Sequence, residues 1–151
     1  MAHAGGGKAM RDLIEEIFVS AFGVDTTEDQ ARLVSDAMKE EGARLAFTTD
    51  SFVVTPLEFP GGDIGRLAVC GTVNDLAVGG AQPLWLSAAF IIEEGFEISR
   101  LRRLVLSMAE EARLANVRIV TGDTKVVERG SADGIYITTA GVGVLAAGLQ
   151  P

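Results

Sequence analysis

Apolar residues recur along this chain at helical spacing in some stretches and in strand-length runs in others, and each change marks a new element. Met10, Leu13, Ile14, Ile17, Phe18 and Phe22 fall three and four apart, the spacing of one helix face, and Gly23 ends the run. From Ala31 to Lys39 no clean period holds, because Arg32, Ser35 and Asp36 interrupt the apolar positions. Arg44 to Val54 is rich in β-branched and aromatic residues and stops at Pro56, which predicts a strand with Asp50 inside it. A carboxylate within a strand is disfavoured by propensity, so Asp50 either points to solvent or serves a purpose.

The stretch Phe59 to Ala81 is punctuated more sharply than any other. Pro60-Gly61-Gly62 forms a turn, Asp63 is placed to cap a helix, and Gly79-Gly80 with Pro83 beyond closes it. The helix between them has small residues at Ala68, Gly71 and Ala77 and an Asn74-Asp75 pair near its end, although Asn and Asp are weak helix formers. Close packing on a neighbour would explain the small residues. A carboxylate held for a cation or a phosphate would explain the pair.

Pro83 to Ile92 is a mostly apolar run of strand length, the pattern of a strand covered on both faces. Ser99 then stands as the cap of a helix whose apolar positions Leu101, Leu104, Val105, Met108, Ala109 and Ala112 keep the 3.6 period to Asn116. Val117 to Lys125 reads as a short strand running into a Gly-Asp turn, and Ile135 to Leu145 as a long final strand. The order of helix, strand, helix, strand, helix, strand, strand predicts an α/β or α+β domain, a mixed β-sheet flanked by helices.

Length and charge narrow this picture. A chain of 151 residues with 48% hydrophobic and 23% charged residues is expected to be one globular domain. The net charge of −8 argues against a nucleic-acid partner, which needs a basic face. No apolar run approaches the roughly 20 residues of a membrane span, so no membrane partner is expected and the cytoplasm is the default location. Cys70 is the only cysteine and lies in the small-residue helix; the only histidine, His3, is not placed to activate it.

Candidate chemistry is concentrated in acidic and glycine-rich positions. Gly5, Gly6 and Gly7 precede the first helix, where backbone N–H groups can touch a phosphate, or they form a flexible tail. They are not a P-loop: the template glycine is Ala2 and the template hydroxyl after Lys8 is Ala9. Gly122, Asp123 and Thr124 put a carboxylate and a hydroxyl beside exposed amides, and Lys125 adds a point charge. Asp50, Asp75 and Asp123, with Asp29 as a fourth, are either caps and turn residues or carboxylates for magnesium. Mg2+ needs only one or two protein carboxylates when water and phosphates complete its shell.

Thr48-Thr49-Asp50-Ser51-Phe52-Val53-Val54, the whole of Phe59 to Pro83, Glu93-Glu94-Gly95-Phe96 and Thr121-Gly122-Asp123-Thr124-Lys125-Val126-Val127 resemble the N-terminal domain of the HypE family of hydrogenase maturation proteins. That family lies in the superfamily of aminoimidazole ribonucleotide synthetase, thiamine-monophosphate kinase and selenophosphate synthetase. The resemblance runs from Gly5 to Val144. It implies a PurM-like N-terminal domain that forms a homodimer, its sheets pairing into a barrel, with ATP and Mg2+ bound near the interface. It places the ATP-site aspartates on Asp50, Asp75 and Asp123 with Asn74 beside them, a metal-binding acidic turn on Glu28-Asp29, and a phosphate-covering segment on Gly5 to Gly7. Lys125 falls where the family has a lysine near the reacting group.

The implied activity is ATP-dependent dehydration of a carbamoylated C-terminal cysteine to thiocyanate, the source of cyanide ligands for [NiFe]-hydrogenase. The implied partners are the carbamoyltransferase HypF and the HypC–HypD complex. The family continues into a second domain and a cysteine-bearing tail that this sequence does not contain, so residues 1–151 are expected to dimerise and to bind nucleotide without completing the reaction. The competing expectations are a small-molecule kinase or synthetase of the same superfamily and a docking module without nucleotide chemistry.

Overall fold

The computed structural model describes residues 8–24 and 28–149, so the glycines at positions 5–7 lie outside the described residues. Helix α1 (Lys8–Phe22) is followed by a 3-10 turn at Asp36–Lys39, then strand β1 (Arg44–Phe52). Two short strands, β2 (Glu58–Phe59) and β3 (Gly62–Asp63), form a hairpin that leads into helix α2 (Ile64–Val78). Strand β4 (Gln82–Glu93), helix α3 (Ile98–Leu114), and strands β5 (Arg118–Val127) and β6 (Ile135–Leu145) complete the domain. No described helix is long and apolar enough to cross a membrane.

The four long strands form one sheet in the order β1-β6-β4-β5. Only β4 and β5 run parallel, joined through α3; the other pairs are antiparallel. The sheet is therefore mixed, as the alternation of elements predicts. One face is covered by helices. Phe52, Leu86, Ala88, Phe90, Ile92, Ile119, Ile135 and Ile137 from the strands meet Ile64, Ala68, Val69, Leu101, Leu104, Val105 and Met108 from α2 and α3 in a single core. Alternation along the strands sends their neighbours to the opposite face. There Leu45 and Phe47 are 60% and 73% exposed and Ile91 42%.

Helix α2 begins where expected: the Asp63 side chain accepts from the Arg66 N–H at 2.8 Å, and Gly79 closes the helix. Two of the three small residues expected to bring it close to its neighbours do so. Ala68 is fully buried, and a side chain on Gly71 would strike the Phe52 ring, but Ala77 faces out. Gly65 takes the third role, since a Cβ there would collide with the Leu104 carbonyl of α3.

Two boundary expectations are corrected. Helix α3 starts after Glu97, which makes no side-chain cap, so Ser99 is a residue of the first turn rather than the cap. Strand β5 does not end in a Gly-Asp turn at Gly122: it continues to Val127 because the parallel partner β4 continues beside it, with Ala88↔Gly122 and Ala89↔Asp123 in register. Gly122 is small because a Cβ there would meet the Ala88 carbonyl, a close strand approach rather than a turn requirement.

Candidate functional site

A groove of about 620 Å³ lies between α1, residues 24 and 28–29, and the outer edge of β5. Four of the acidic and basic candidates from the sequence line it: Glu28, Asp29, Asp123 and Lys125, together with Gly122 and Thr124. The Lys125 ammonium stands 3.5 Å from the Asp123 carboxylate, both well exposed, so the pair is held weakly and is free to exchange partners. Across the groove the Thr121 hydroxyl donates to the Asp29 carbonyl at 3.5 Å, tying the acidic turn to β5. Glu28 also lines the groove and pairs with Arg32 at 3.4 Å.

The floor of the groove is apolar. Phe18 stacks on Phe90 with ring centroids 4.6 Å apart, Phe22 lies 6.0 Å from Phe18, and Val24 completes the lining. Sequence reasoning assigned Phe18 and Phe22 to a helix face and Phe90 to a strand, and missed that they line one groove. It missed Thr121 as well, although a hydroxyl on either side of Gly122-Asp123 was the available signal. The donor set of carboxylates, hydroxyls and carbonyls, without sulfur or imidazole, is that of a hard cation such as Mg2+.

Asp50 and Asp75 lie elsewhere. Asp50 is in β1, at the opposite edge of the sheet from β5, and three strand spacings of about 14 Å separate the two edges. The register also puts Asp50 in a row with Thr139, Ala88 and Gly122, whereas Asp123 shares a row with Ala89, Thr138 and Ser51. The Asp50 carboxylate accepts from the Ser51 N–H at 2.8 Å and is exposed. Asn74 and Asp75 are exposed on the last turns of α2. Leu76 and Thr72 of α2 pack on Gly141 and Thr139, the register partners of Thr48 and Asp50, so Asp75 stands alongside that part of β1. Among the described residues no three acidic, histidine or cysteine side chains converge on a single metal position. One chain thus presents two acidic sets, Asp29 with Asp123 at the β5 edge and Asp50 with Asp75 at the β1 edge.

Cys70 belongs to neither set. Its thiol donates to Glu111 at 3.3 Å, and Glu111 is held in turn by Arg66 at 2.9 Å. Burial, followed by the Glu111 carboxylate, pushes the thiol above its ordinary value, so it stays protonated at neutral pH.

The chain, a mixed four-stranded sheet covered on one face with acidic groups at both edges, belongs to the class of AIR synthase related proteins, whose N-terminal domain model matches residues 27–145. Within that class it is similar to HypE proteins. It is 71% identical to the carbamoyl dehydratase HypE of Rhodobacter capsulatus over 150 residues, which is 99% of this chain and 44% of the relative. The solved HypE of E. coli superposes with a TM-score of 0.89 at 52% identity, covering 93% of this chain and 45% of that one. A HypE solved in complex with ATP gives 0.84 at 46% identity, covering 97% and 43%. The HypE of a HypE–HypF complex gives 0.68 at 54%, covering 90% and 43%. The chain therefore spans less than half the length of the relatives it matches.

Proposed function

We propose that this chain is the nucleotide-binding and pairing domain of a HypE-type carbamoyl dehydratase, taking ATP together with Mg2+. The observation that carries the reading is the groove beside β5, lined by Asp29, Asp123, Thr124 and Lys125 together with Phe18, Phe22 and Phe90, in a chain similar to a HypE solved with ATP. Asp29 and Asp123 would hold the cation, whose charge offsets that of the phosphates. Lys125 leaves Asp123 for a phosphate oxygen, exchanging one weak ion pair for another. The hydroxyls of Thr121 and Thr124 supply further donors along the phosphates. The chain's part in the dehydration is to bind and orient ATP, with HypF as the partner proposed from the similarity to the HypE of a HypE–HypF complex.

The open sheet face supports a homodimer. Leu45, Phe47 and Ile91 leave an apolar surface that a second copy of the sheet would cover. Closing two such sheets into one barrel sets each edge strand beside an edge strand of the partner. Both acidic sets are then carried to the seam, although a single copy holds them apart.

Thermal unfolding in Mg-ATP tests the nucleotide reading. At a hundredfold excess over Kd, mass action adds about 2.7 kcal/mol, which raises the Tm of a domain this size by about 5–10 °C. Asp123→Asn is expected to abolish most of that rise while leaving the ligand-free Tm within about 2 °C, since the carboxylate is exposed. No rise for the unaltered chain at millimolar Mg-ATP would leave a docking module as the better reading.

A further inference from the structure

Two polar side chains among the described residues are completely buried, Thr72 of α2 and Thr139 of β6, and they touch each other. Their hydroxyl oxygens are 2.5 Å apart, and the Thr139 hydroxyl lies 2.8 Å from the Ala68 carbonyl of α2. A carbonyl can only accept, so Thr139 spends its one proton on Ala68. Thr72 must therefore be the donor to Thr139. The result is a directed chain, from Thr72 to Thr139 to Ala68, that ties α2 to the middle of β6 in one arrangement.

This knot sits between the two acidic positions at the β1 edge. Thr139 is the register partner of Asp50, and its carbonyl accepts from the Thr49 hydroxyl at 3.1 Å, so the same residue holds the side chain next to Asp50. Thr72 precedes Asp75 by one helical turn. Gly141, two residues after Thr139, lets the helix approach until Thr72 and Leu76 lie against the strand. A buried polar pair contributes little to stability beyond an apolar pair of the same shape, but it fixes one geometry where an apolar contact would allow sliding.

We propose that Thr72 and Thr139 are positioning residues: their hydroxyl chain sets the height and rotation of α2 on the sheet, and thereby the placement of Asp75 beside Asp50, the acidic set that pairing of two sheets carries to the same seam as Asp29 and Asp123. The proposal rests on the nucleotide and pairing readings above. Calorimetric titration of the full chain with ATP in Mg2+ tests it, alongside the Tm of each variant. Valine keeps the shape of threonine without the hydroxyl, so Thr72→Val is expected to weaken Mg-ATP binding about five- to tenfold, the size of a coupling between contacting residues, with only a small change in Tm. Thr72→Ser, which retains the donor, is expected to restore binding. The double variant Thr72→Val with Thr139→Val leaves no unpaired hydroxyl and is expected to bind as weakly while staying folded. Binding by Thr72→Val within twofold of the unaltered chain would overturn the proposal. So would a loss that serine fails to restore, which would assign the effect to the methyl group. If the unaltered chain itself does not bind Mg-ATP, the nucleotide reading falls and this inference with it, an outcome distinct from a failure confined to the variants.

Discussion

Cys70 shows how much a neighbourhood decides. It is the chain's only thiol and it sits on the best-defined helix, yet burial and the Glu111 carboxylate hold it in the protonated form. At pH 7.5 its alkylation by iodoacetamide is expected to be at least about tenfold slower than that of free cysteine. Glu111→Gln should speed the reaction, because it removes the negative charge that disfavours the thiolate. Rapid labelling of the unaltered chain would refute this. Among the acidic residues Asp63 caps α2 as its type and place suggest, and Asp29 and Asp123 line a groove. What single positions could not reveal is which carboxylates share a site, since that depends on the order of strands rather than on spacing.

A second residue pair couples an element to pH. Arg100 of α3 grips Glu58 of the β2–β3 hairpin through Nε and Nη2 at 2.6 and 2.5 Å, and its guanidinium lies 5.3 Å from the centre of the Phe96 ring. The hydrogen bonds from Arg100 hold the Glu58 carboxyl below its ordinary value of 4.5. A lowered folded-state value means that the pair's contribution is complete above pH 4.5 and is lost as pH falls through the lowered value. Both side chains are more than a third exposed, so solvent screening limits the contribution to about 0.5–1 kcal/mol. Arg100→Leu is expected to cost that much in urea unfolding at pH 7, with the difference from the unaltered chain closing below pH 4.5.

At the scale of elements, helical spacing located α1 and α3, turn and cap signals located α2, and apolar or β-branched runs located the long strands, because each is a local demand that leaves a local pattern. Errors arose where a distant partner overrode local signals. The strand β5 runs through Gly122-Asp123 because β4 lies beside it, and no residue within β5 announces that neighbour. Ser99 is a good cap by type, but the chain enters α3 two residues earlier. Gly65 was unremarked because its role depends on the Leu104 carbonyl of another helix. Gly65→Ala makes this measurable: forcing α2 and α3 apart is expected to cost about 1–3 kcal/mol and to lower the Tm by several degrees. An unchanged Tm would show that the helices can separate freely.

For the whole molecule, the open sheet face carries the next prediction. If a second copy covers it, Phe47→Glu, which places a charge among Leu45 and Val142 on that face, is expected to shift the sedimentation equilibrium toward the monomer without unfolding it. A chain that is monomeric before the change would remove the basis for the pairing. The class of fold was legible from the alternation of elements, but the strand order was not, and that order puts one acidic set at each edge. It arises from pairings between residues far apart in the chain, which leave no mark on either segment.

The most distant of these pairings governs how the protein is made. Strand β1 has one sheet partner, β6, and their residues are joined across register pairs such as Arg44↔Leu145 and Phe52↔Ile137. Translation at about 5–20 residues per second leaves roughly 5–20 s between the appearance of β1 and that of its partner. During that interval Leu45, Phe47 and Phe52 have no sheet neighbour, although α2, whose Gly71 lies against Phe52, has already been made. Folding on the ribosome is then gated by the arrival of β6, and synthesis arrested before Ile135 is expected to yield chains held by chaperones or degraded, whereas arrest after Leu145 yields protease-resistant ones.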